Sequence, residues 1–313
     1  MTPSIRPHST LRRGVLLAFG TAAISGLSVY VNAYGVKLVA DASVYTTAKN
    51  GVAAVLLVGL ALALGAHRQV PSLAGRQWLG LLAVALVGGS IPFVLFFSGL
   101  ALATAPAAAF IHKTLFVWVA LLAVPLLGER LGLVPIGALA VLLLGQVLMT
   151  PPTGFGWGVG ETMIAGATLL WSVEVIVAKR LLAGISAPLL AASRMGPGVV
   201  ILLGYLAVTG RLGGLATIPA DALVWILATG LLLAGYVATW YGALRLAPAT
   251  TVTSVLVAGA VGTGVVSALT GSIVPDPRVV AGYLVVIAAV ALIAGSALRS
   301  RPEEPHGVVA TSG

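Results

Sequence analysis

The chain has 313 residues, of which 59% are hydrophobic and only 8% are charged, and its mean hydropathy is +1.10. Soluble domains carry about a quarter charged residues, so this composition excludes an ordinary soluble protein. The net charge of +9 does not indicate nucleic acid as a partner, because the basic residues lie in short loops between apolar runs. The absence of cysteine excludes disulfides and zinc-thiolate sites.

Ten apolar runs along the chain are each long enough to cross a lipid bilayer. A spanning helix needs about 20 mostly apolar residues for about 30 Å of hydrocarbon. The predicted spans, in chain order, are residues 14–36, 43–64, 77–99, 105–127, 132–150, 157–178, 187–208, 222–244, 249–271 and 279–298. The connections are too short for a folded domain outside the membrane. We therefore expect only two further segments, a cytoplasmic N-terminal segment (1–13) and a disordered cytoplasmic tail (299–313).

The basic residues predict the orientation of the spans, because loops rich in Lys and Arg stay in the cytoplasm. With a cytoplasmic N-terminus, 11 of the 17 basic residues fall in cytoplasmic segments and three fall on the outer side. The remaining three, Lys49, Lys113 and Arg194, lie within spans. This bias predicts a multi-pass protein of the cell's inner (plasma) membrane with both termini in the cytoplasm. The Arg12–Arg13 pair is interpreted as an anchor of the first span, not as a signal peptide.

The two halves of the chain match at a shift of 142 residues. The motif Ala-Leu-x-x-Ala-Pro at 101–106 recurs at 243–248, each time at the start of an equivalent span. Other landmarks recur similarly: Lys37 as Lys179, Pro135 as Pro277, and Lys49-x-Gly51 as Arg194-x-Gly196 at a shift of 145. Five spans per half is an odd number, so the second half enters the membrane in the opposite sense. The sequence therefore predicts an all-α integral membrane fold of ten transmembrane helices in two inverted five-helix repeats, 14–150 and 151–298, an architecture typical of secondary transporters.

These features together resemble the EamA-type transporters of the drug/metabolite transporter (DMT) superfamily. The resemblance is carried by the Ala-Pro start of span four, the Leu-Gly-Glu-Arg run at 127–130, Trp171 in span six and the basic residue that opens spans two and seven. It covers residues 14–298 and implies a central cavity among spans one to four and six to nine, with spans five and ten peripheral. It also implies export of amino acids, other metabolites or drugs. One departure is that the repeat equivalent of Glu129 is Gly271.

Five ionisable side chains lie within the predicted spans, where a charge is costly and therefore indicates a function. From their depths, Glu174 and Arg194 are expected to pair toward the cytoplasm. On the outer side, Lys113 or Lys49 is expected to pair with Glu161. These two layers are interpreted as alternating gates or as contacts for a zwitterion, with salt bridges that merely lock the bundle as the alternative. The Glu174 carboxylate is a candidate carrier of a coupling proton.

Neutral side chains complete the candidate substrate and ion pathway. Asn32 occupies the position of the first repeat that matches Glu174, so the carboxylate is present in one repeat only. Trp171, near mid-membrane, and Tyr34 are expected to line the cavity and to stack on substrate.

Other polar and aromatic residues have a structural alternative. Of the adjacent His112 and Lys113, which point about 100° apart, Lys113 is expected to line the cavity and His112 to lie at a helix interface, although His112 is kept as a pathway candidate. Trp240 and Tyr241 could line the cavity and stack on substrate, but anchoring in the interfacial belt explains them at least as well and is the interpretation preferred here. Glu129, at a helix end, is interpreted as solvated or as a helix cap.

The sequence contains no catalytic, metal or nucleotide-binding signature in a plausible setting, so neither an enzyme nor a cofactor is predicted. We predict a secondary transporter that exports small metabolites, either amino acids or similar zwitterionic or anionic solutes, by alternating access. A proton-coupled multidrug exporter is the alternative that a strongly aromatic, acidic cavity would favour. A membrane-embedded accessory protein without transport is the alternative of another class. The Gly- and Ala-rich helix faces permit a homodimer.

Overall fold

The computed structural model describes residues 8–150, 156–271 and 276–299. Within these ranges the chain forms α-helices and three short 3-10 helices, and no strand occurs there. Residues 1–7 of the predicted N-terminal segment and residues 300–313 of the predicted tail lie outside the described residues.

The described ranges contain thirteen α-helices in chain order: α1 (His8–Gly35), α2 (Ala42–Ala63), α3 (Gly75–Val87), α4 (Ile91–Leu100), α5 (Ala105–Lys113), α6 (Leu115–Leu127), α7 (Leu133–Met149), α8 (Val159–Leu181), α9 (Ala187–Val208), α10 (Ala220–Leu246), α11 (Ala249–Leu256), α12 (Ala258–Leu269) and α13 (Pro277–Arg299). The 3-10 helices are Val36–Leu38, Ala66–Ser72 and Leu212–Leu215.

Three pairs of consecutive helices each form one interrupted span, so the helices make ten crossings. α3 and α4 are separated by residues 88–90, α5 and α6 by Thr114, and α11 and α12 by Val257. Nine crossings within the described ranges have the length and composition of a membrane span, including the Gly- and Thr-rich stretch Ala249–Leu269. The other crossing, α7, has 17 residues. At about 1.5 Å per residue it is slightly shorter than the hydrocarbon layer.

The two repeats pack against each other in an exchanged manner. α1 packs on α10 and α12 of the second repeat, and its equivalent α8 packs on α4 and α6 of the first. α2 packs on its own equivalent, α9, and α7 packs on its equivalent, α13. Each helix therefore contacts the other repeat as its counterpart does, which is the arrangement expected of inverted repeats. The predicted fold of two inverted five-helix repeats is confirmed.

Glycine permits close contacts between the repeats. A Cβ atom at Gly26 of α1 would lie 2.6 Å from the carbonyl oxygen of Gly259 in α12. Conversely, a Cβ atom at Gly259 would lie 2.8 Å from the carbonyl oxygen of Ala22. The contact of α1 with α12 therefore requires glycine on both helices, as is common where helices meet in lipid.

Candidate functional site

A cavity of about 630 Å³ lies between the two repeats. Its walls come from α1, α2, α4–α6 and α8–α11, whereas α7 and α13 contribute no residue to it. Small-molecule sites have volumes of about 300–1,000 Å³, so the cavity is large enough for a metabolite. It is lined by seven of the nine predicted pathway residues: Asn32, Lys49, His112, Lys113, Trp171, Glu174 and Arg194.

Aromatic side chains form much of the cavity wall: Tyr45, Phe93, Phe96, Phe97, Phe116, Trp171, Tyr236 and Trp240. Several are in consecutive edge-to-face or tilted contact and together form a ladder. The ring of Phe96 lies 5.6 Å from that of Phe97 and 5.7 Å from that of Trp171. The His112 ring also lies 5.0 Å from the Trp171 ring. Such a wall suits an apolar or aromatic group of a ligand. The Phe93-x-x-Phe96-Phe97 cluster is the sequence signal from which this wall could have been predicted.

The end of the cavity that the predicted topology places toward the cytoplasm (the inner end) contains the predicted ion pair. Arg194 Nη1 lies 3.9 Å from Glu174 Oε2, and the two residues are 7% and 1% exposed. Glu174 lies seven residues before the end of α8 at Leu181, and Arg194 seven residues after the start of α9 at Ala187. Because these consecutive helices are antiparallel, equal distances from their connection bring the two side chains to the same depth. The predicted pairing of Glu174 with Arg194 is therefore confirmed.

The interruption of span three supplies another partner for this site. In a continuous helix the Gly88 carbonyl would accept from residue 92, but Pro92 has no N–H. Instead it accepts hydrogen bonds from Trp171 Nε1 at 3.1 Å and from Arg194 Nη2 at 3.2 Å. Glycine is needed here, because a Cβ atom at Gly88 would lie 2.5 Å from Cγ of Glu174. The Gly-Gly-x-x-Pro sequence thus leaves the Gly88 carbonyl without a donor in its own helix, so that Trp171 and Arg194 can donate to it.

The half of the cavity that the predicted topology places on the outer side (the outer half) contains the repeat equivalent of this pair. Lys49 Nζ donates a hydrogen bond to Asn32 Oδ1 at 3.0 Å. The Asn32 amide donates to the carbonyl oxygen of Ser28 at 2.7 Å, which leaves its oxygen directed at the lysine. The ammonium also lies 5.9 Å from the ring centres of Tyr45 and Phe97. A cation–carboxylate pair in one repeat is therefore a cation–amide pair in the other.

The predicted outer ion pair is wrong. Glu161 lies at the start of α8, where its Oε2 accepts a hydrogen bond from the Gly158 N–H at 3.0 Å. In the described part of the chain no salt bridge joins it to Lys49 or Lys113. Depth alone does not predict the partner of Glu161, because its carboxylate caps its own helix and does not extend to a neighbour. Glu161 does not line the cavity.

Tyr34 also lies away from the cavity, near the end of α1, and its side chain is 40% exposed. Its ring stacks on Trp225 with centroids 5.7 Å apart, and its hydroxyl lies 2.9 Å from that of Tyr30. The expectation that Tyr34 lines the cavity is therefore not met in this structure.

Two aromatic residues assigned to the interfacial belt face inward. Trp240 is 3% exposed and lines the cavity, and Tyr241 is fully buried. The Tyr241 hydroxyl donates a hydrogen bond to Glu174 Oε1 at 2.5 Å. The belt interpretation of both residues is wrong, because the rotation of α10 turns this face toward α8.

His112 lines the cavity together with Lys113, since the space is wide enough to be reached from both directions.

At one end of the bundle, two side chains bind backbone in and directly after the second Ala-Leu-x-x-Ala-Pro motif, residues 243–248. Lys179 Nζ donates to the carbonyl oxygens of Leu244 and Ala247, both at 2.5 Å. Glu129 accepts from the N–H groups of Ala249 at 2.5 Å and Thr250 at 3.1 Å. Glu129 is thus a helix cap, as one interpretation expected, but it caps α11 of the other repeat.

The cavity extends toward the opposite end of the bundle. Its lining includes Val36 after α1, Ala42 at the start of α2, and Leu100 and Ala101 at the end of α4. The predicted topology places this end on the outer side and the end with Lys179 and Glu129 in the cytoplasm.

Comparisons with known proteins agree with the fold and the repeat. The EamA-like transporter family matches the chain twice, over residues 12–150 and 158–295. A solved structure titled "Crystal structure of protein" is similar with a TM-score of 0.73 at 16% identity, over 91% of this chain and 98% of that chain. At this identity the likeness shows a common fold alone. No match was found among curated proteins.

Proposed function

Because this multi-pass membrane chain belongs to the EamA-like transporter family, we propose that it exports small metabolites, either amino acids or similar zwitterionic or anionic solutes, as a secondary transporter. The observation that carries this proposal is a cavity of about 630 Å³ with side chains from both repeats, which reaches one end of the bundle. Alternating access requires such a cavity between inverted repeats. Lys179 and Glu129 would form part of the closed cytoplasmic gate.

The charges of the cavity support a solute with an anionic group. Three cations line it, Lys49, Lys113 and Arg194, against the single carboxylate of Glu174 in the described ranges. A ligand that carries a carboxylate balances this excess of positive charge. The aromatic ladder would accommodate the rest of the solute.

A proton-coupled multidrug exporter is the second candidate, because eight aromatic side chains line the cavity. Its acidic character is weak, however. The Glu174 carboxylate already has Arg194 and Tyr241 as partners, so it offers little to an organic cation. The charges therefore favour the metabolite exporter over the drug exporter.

Glu174 is the residue that we propose for coupling to a proton gradient. Six acidic residues lie in the described ranges, and of these only Glu174 lines the cavity. A carboxylate at this depth can exchange a proton as the surrounding helices rearrange. The proposed partners are thus the solute, the bilayer and a coupling proton. The plasma-membrane location, the cytoplasmic termini and the homodimer stay predictions.

Uptake into proteoliposomes tests this function. Labelled amino acids, organic anions and organic cations would be supplied with and without a pH gradient to the native protein, Glu174→Gln and Glu161→Gln. The last is a matched control, because Glu161 is buried but lies away from the cavity. Gradient-driven uptake that is lost only in Glu174→Gln supports transport and coupling. Transport at the same rate with and without the gradient, and in the native protein and Glu174→Gln, contradicts the coupling role of Glu174. No movement of any solute would favour the accessory-protein alternative.

A further inference from the structure

The two repeats place one cation–acceptor pair in each half of the cavity, but the acceptors differ in charge. In the inner half Arg194 faces the Glu174 carboxylate at 3.9 Å. In the outer half Lys49 donates to the Asn32 amide oxygen at 3.0 Å. The pairs correspond in sequence, since Asn32 precedes Glu174 by 142 residues and Lys49 precedes Arg194 by 145. The inner pair is neutral as a unit, whereas the outer pair keeps a full positive charge.

This charge is held in a largely apolar place. Lys49 is only 9% exposed, and its ammonium lies 5.9 Å from the rings of Tyr45 and Phe97. Within the described ranges no salt bridge reaches Lys49 or Lys113, which both line the cavity. A buried cation without an anionic partner is costly. An anion that enters the cavity would remove that cost. Glu174 cannot supply the missing negative charge, because this residue lies in the other half of the cavity with its own partners.

We infer that the outer half of the cavity binds the carboxylate of an amphipathic organic anion at Lys49, in the place where the first repeat lacks a counterpart of Glu174. Lys113 contributes a second positive charge. The apolar or aromatic group of the ligand packs on the ladder that runs from Phe97 through Phe96 to Trp171. This site rests on the proposed function, because it identifies the solute class that the transport cavity accepts.

The ligand needs no amino group. An ammonium would require a carboxylate or a free acceptor nearby, but Glu174 accepts from Tyr241 at 2.5 Å and faces Arg194. An ammonium beside Lys49 and Lys113 would instead be repelled. The preferred solutes are therefore carboxylates without an α-ammonium group, a narrower class than the amino acids and related solutes of the proposed function.

Three probes that share a phenylethyl group distinguish a carboxylate site from an amino-acid site and an amine site: 3-phenylpropanoate, L-phenylalanine and 2-phenylethylamine. Their binding to the full-length protein in lipid nanodiscs would be measured by calorimetry. We expect 3-phenylpropanoate to bind at least about tenfold more tightly than phenylalanine, and the amine most weakly. Equal or tighter binding of the amine overturns the inference, and so does failure of the carboxylate to bind.

Substitutions then locate the charge that binds the carboxylate. Asn32→Asp restores the missing carboxylate beside Lys49 and is expected to weaken 3-phenylpropanoate binding by about tenfold or more, as is Lys49→Met. Lys37→Met is the control, because it removes an exposed cation near the end of α1 that does not line the cavity. It should bind 3-phenylpropanoate within about twofold of the native protein. Unchanged binding by Asn32→Asp, with a native-like melting curve, overturns the inference.

The uptake experiment keeps this inference separate from the proposed function. Transport of some other solute without binding of the carboxylate overturns the site at Lys49 and leaves the transporter. Binding that follows the charge substitutions without transport supports the site and contradicts the proposed function.

Discussion

The guanidinium of Arg194 donates a hydrogen bond of 3.2 Å to the carbonyl oxygen of Gly88. One side chain of the second repeat is thus bound to the point where span three of the first repeat is interrupted. The same guanidinium faces Glu174 at 3.9 Å, and Glu174 in turn accepts from Tyr241 at 2.5 Å. Four helices, α3, α8, α9 and α10, or the residues that directly follow them, therefore meet at a single polar cluster in an otherwise apolar bundle.

Removing either member of the Glu174–Arg194 pair should lower the free energy of unfolding by more than half as much as removing both members. A single Glu174→Gln or Arg194→Met substitution leaves a buried group without its partner, for which about 3–5 kcal/mol is typical. The double variant removes both charges and should be less destabilised than the sum of the two. Thermal unfolding of the four proteins in the same detergent measures this, and additive losses would count against a pair.

Restoring the missing N–H at position 92 should disturb the cluster. In Pro92→Ala the backbone N–H of residue 92 can donate to the Gly88 carbonyl within the helix. This N–H therefore competes with Trp171 and Arg194 for the same acceptor. We expect slower transport without a lower melting temperature. Pro125→Ala is the control, because this proline lies inside α6 on an exposed face. Transport by Pro92→Ala at the native rate would show that the open acceptor has no role.

A methyl group at Gly89 should not fit. A Cβ atom there would collide with the carbonyl oxygen of Arg194, and Gly198 lies against the same glycine. Overpacking of this kind costs about 1–3 kcal/mol, so Gly89→Ala should lower the melting temperature. Gly59→Ala, on α2 with no atom near its Cβ position, should be neutral or slightly stabilising, since alanine favours helix. Equal melting temperatures of the two variants would contradict the close approach.

Loss of the Glu129 cap should open the end of the bundle that the predicted topology places in the cytoplasm. Glu129→Ala removes the acceptor for two backbone N–H groups of α11, and this weakens the closed state relative to the opposite one. The chain contains no cysteine, so Thr253→Cys provides a single reporter on the cavity wall. Labelling by an impermeant reagent from the cytoplasmic side should rise severalfold.

The control for this experiment is Asp221→Asn, an exposed acidic residue at the start of α10. It should leave labelling from both sides unchanged. Unchanged labelling of Thr253→Cys from the cytoplasmic side in Glu129→Ala would mean that the cap does not stabilise the closed state.

The sequence by itself determined the crossings, the repeat and one charged pair. Hydropathy along the chain defines a span, because a helix in lipid must be apolar over its whole length. The shift of 142 residues and the odd number of spans imply inversion. Glu174 and Arg194 were predictable together because they lie at equal distances from one short connection, so their depths agree whatever the packing.

Only the tertiary structure decided which way each side chain points. Hydropathy is nearly uniform around these helices, so it does not define the rotation of a helix about its axis, which packing against neighbours sets. For this reason Trp240 and Tyr241 were assigned to the lipid interface although they face inward. Glu129 likewise binds backbone 120 residues away. Such contacts depend on how the repeats pack, and no local pattern encodes them.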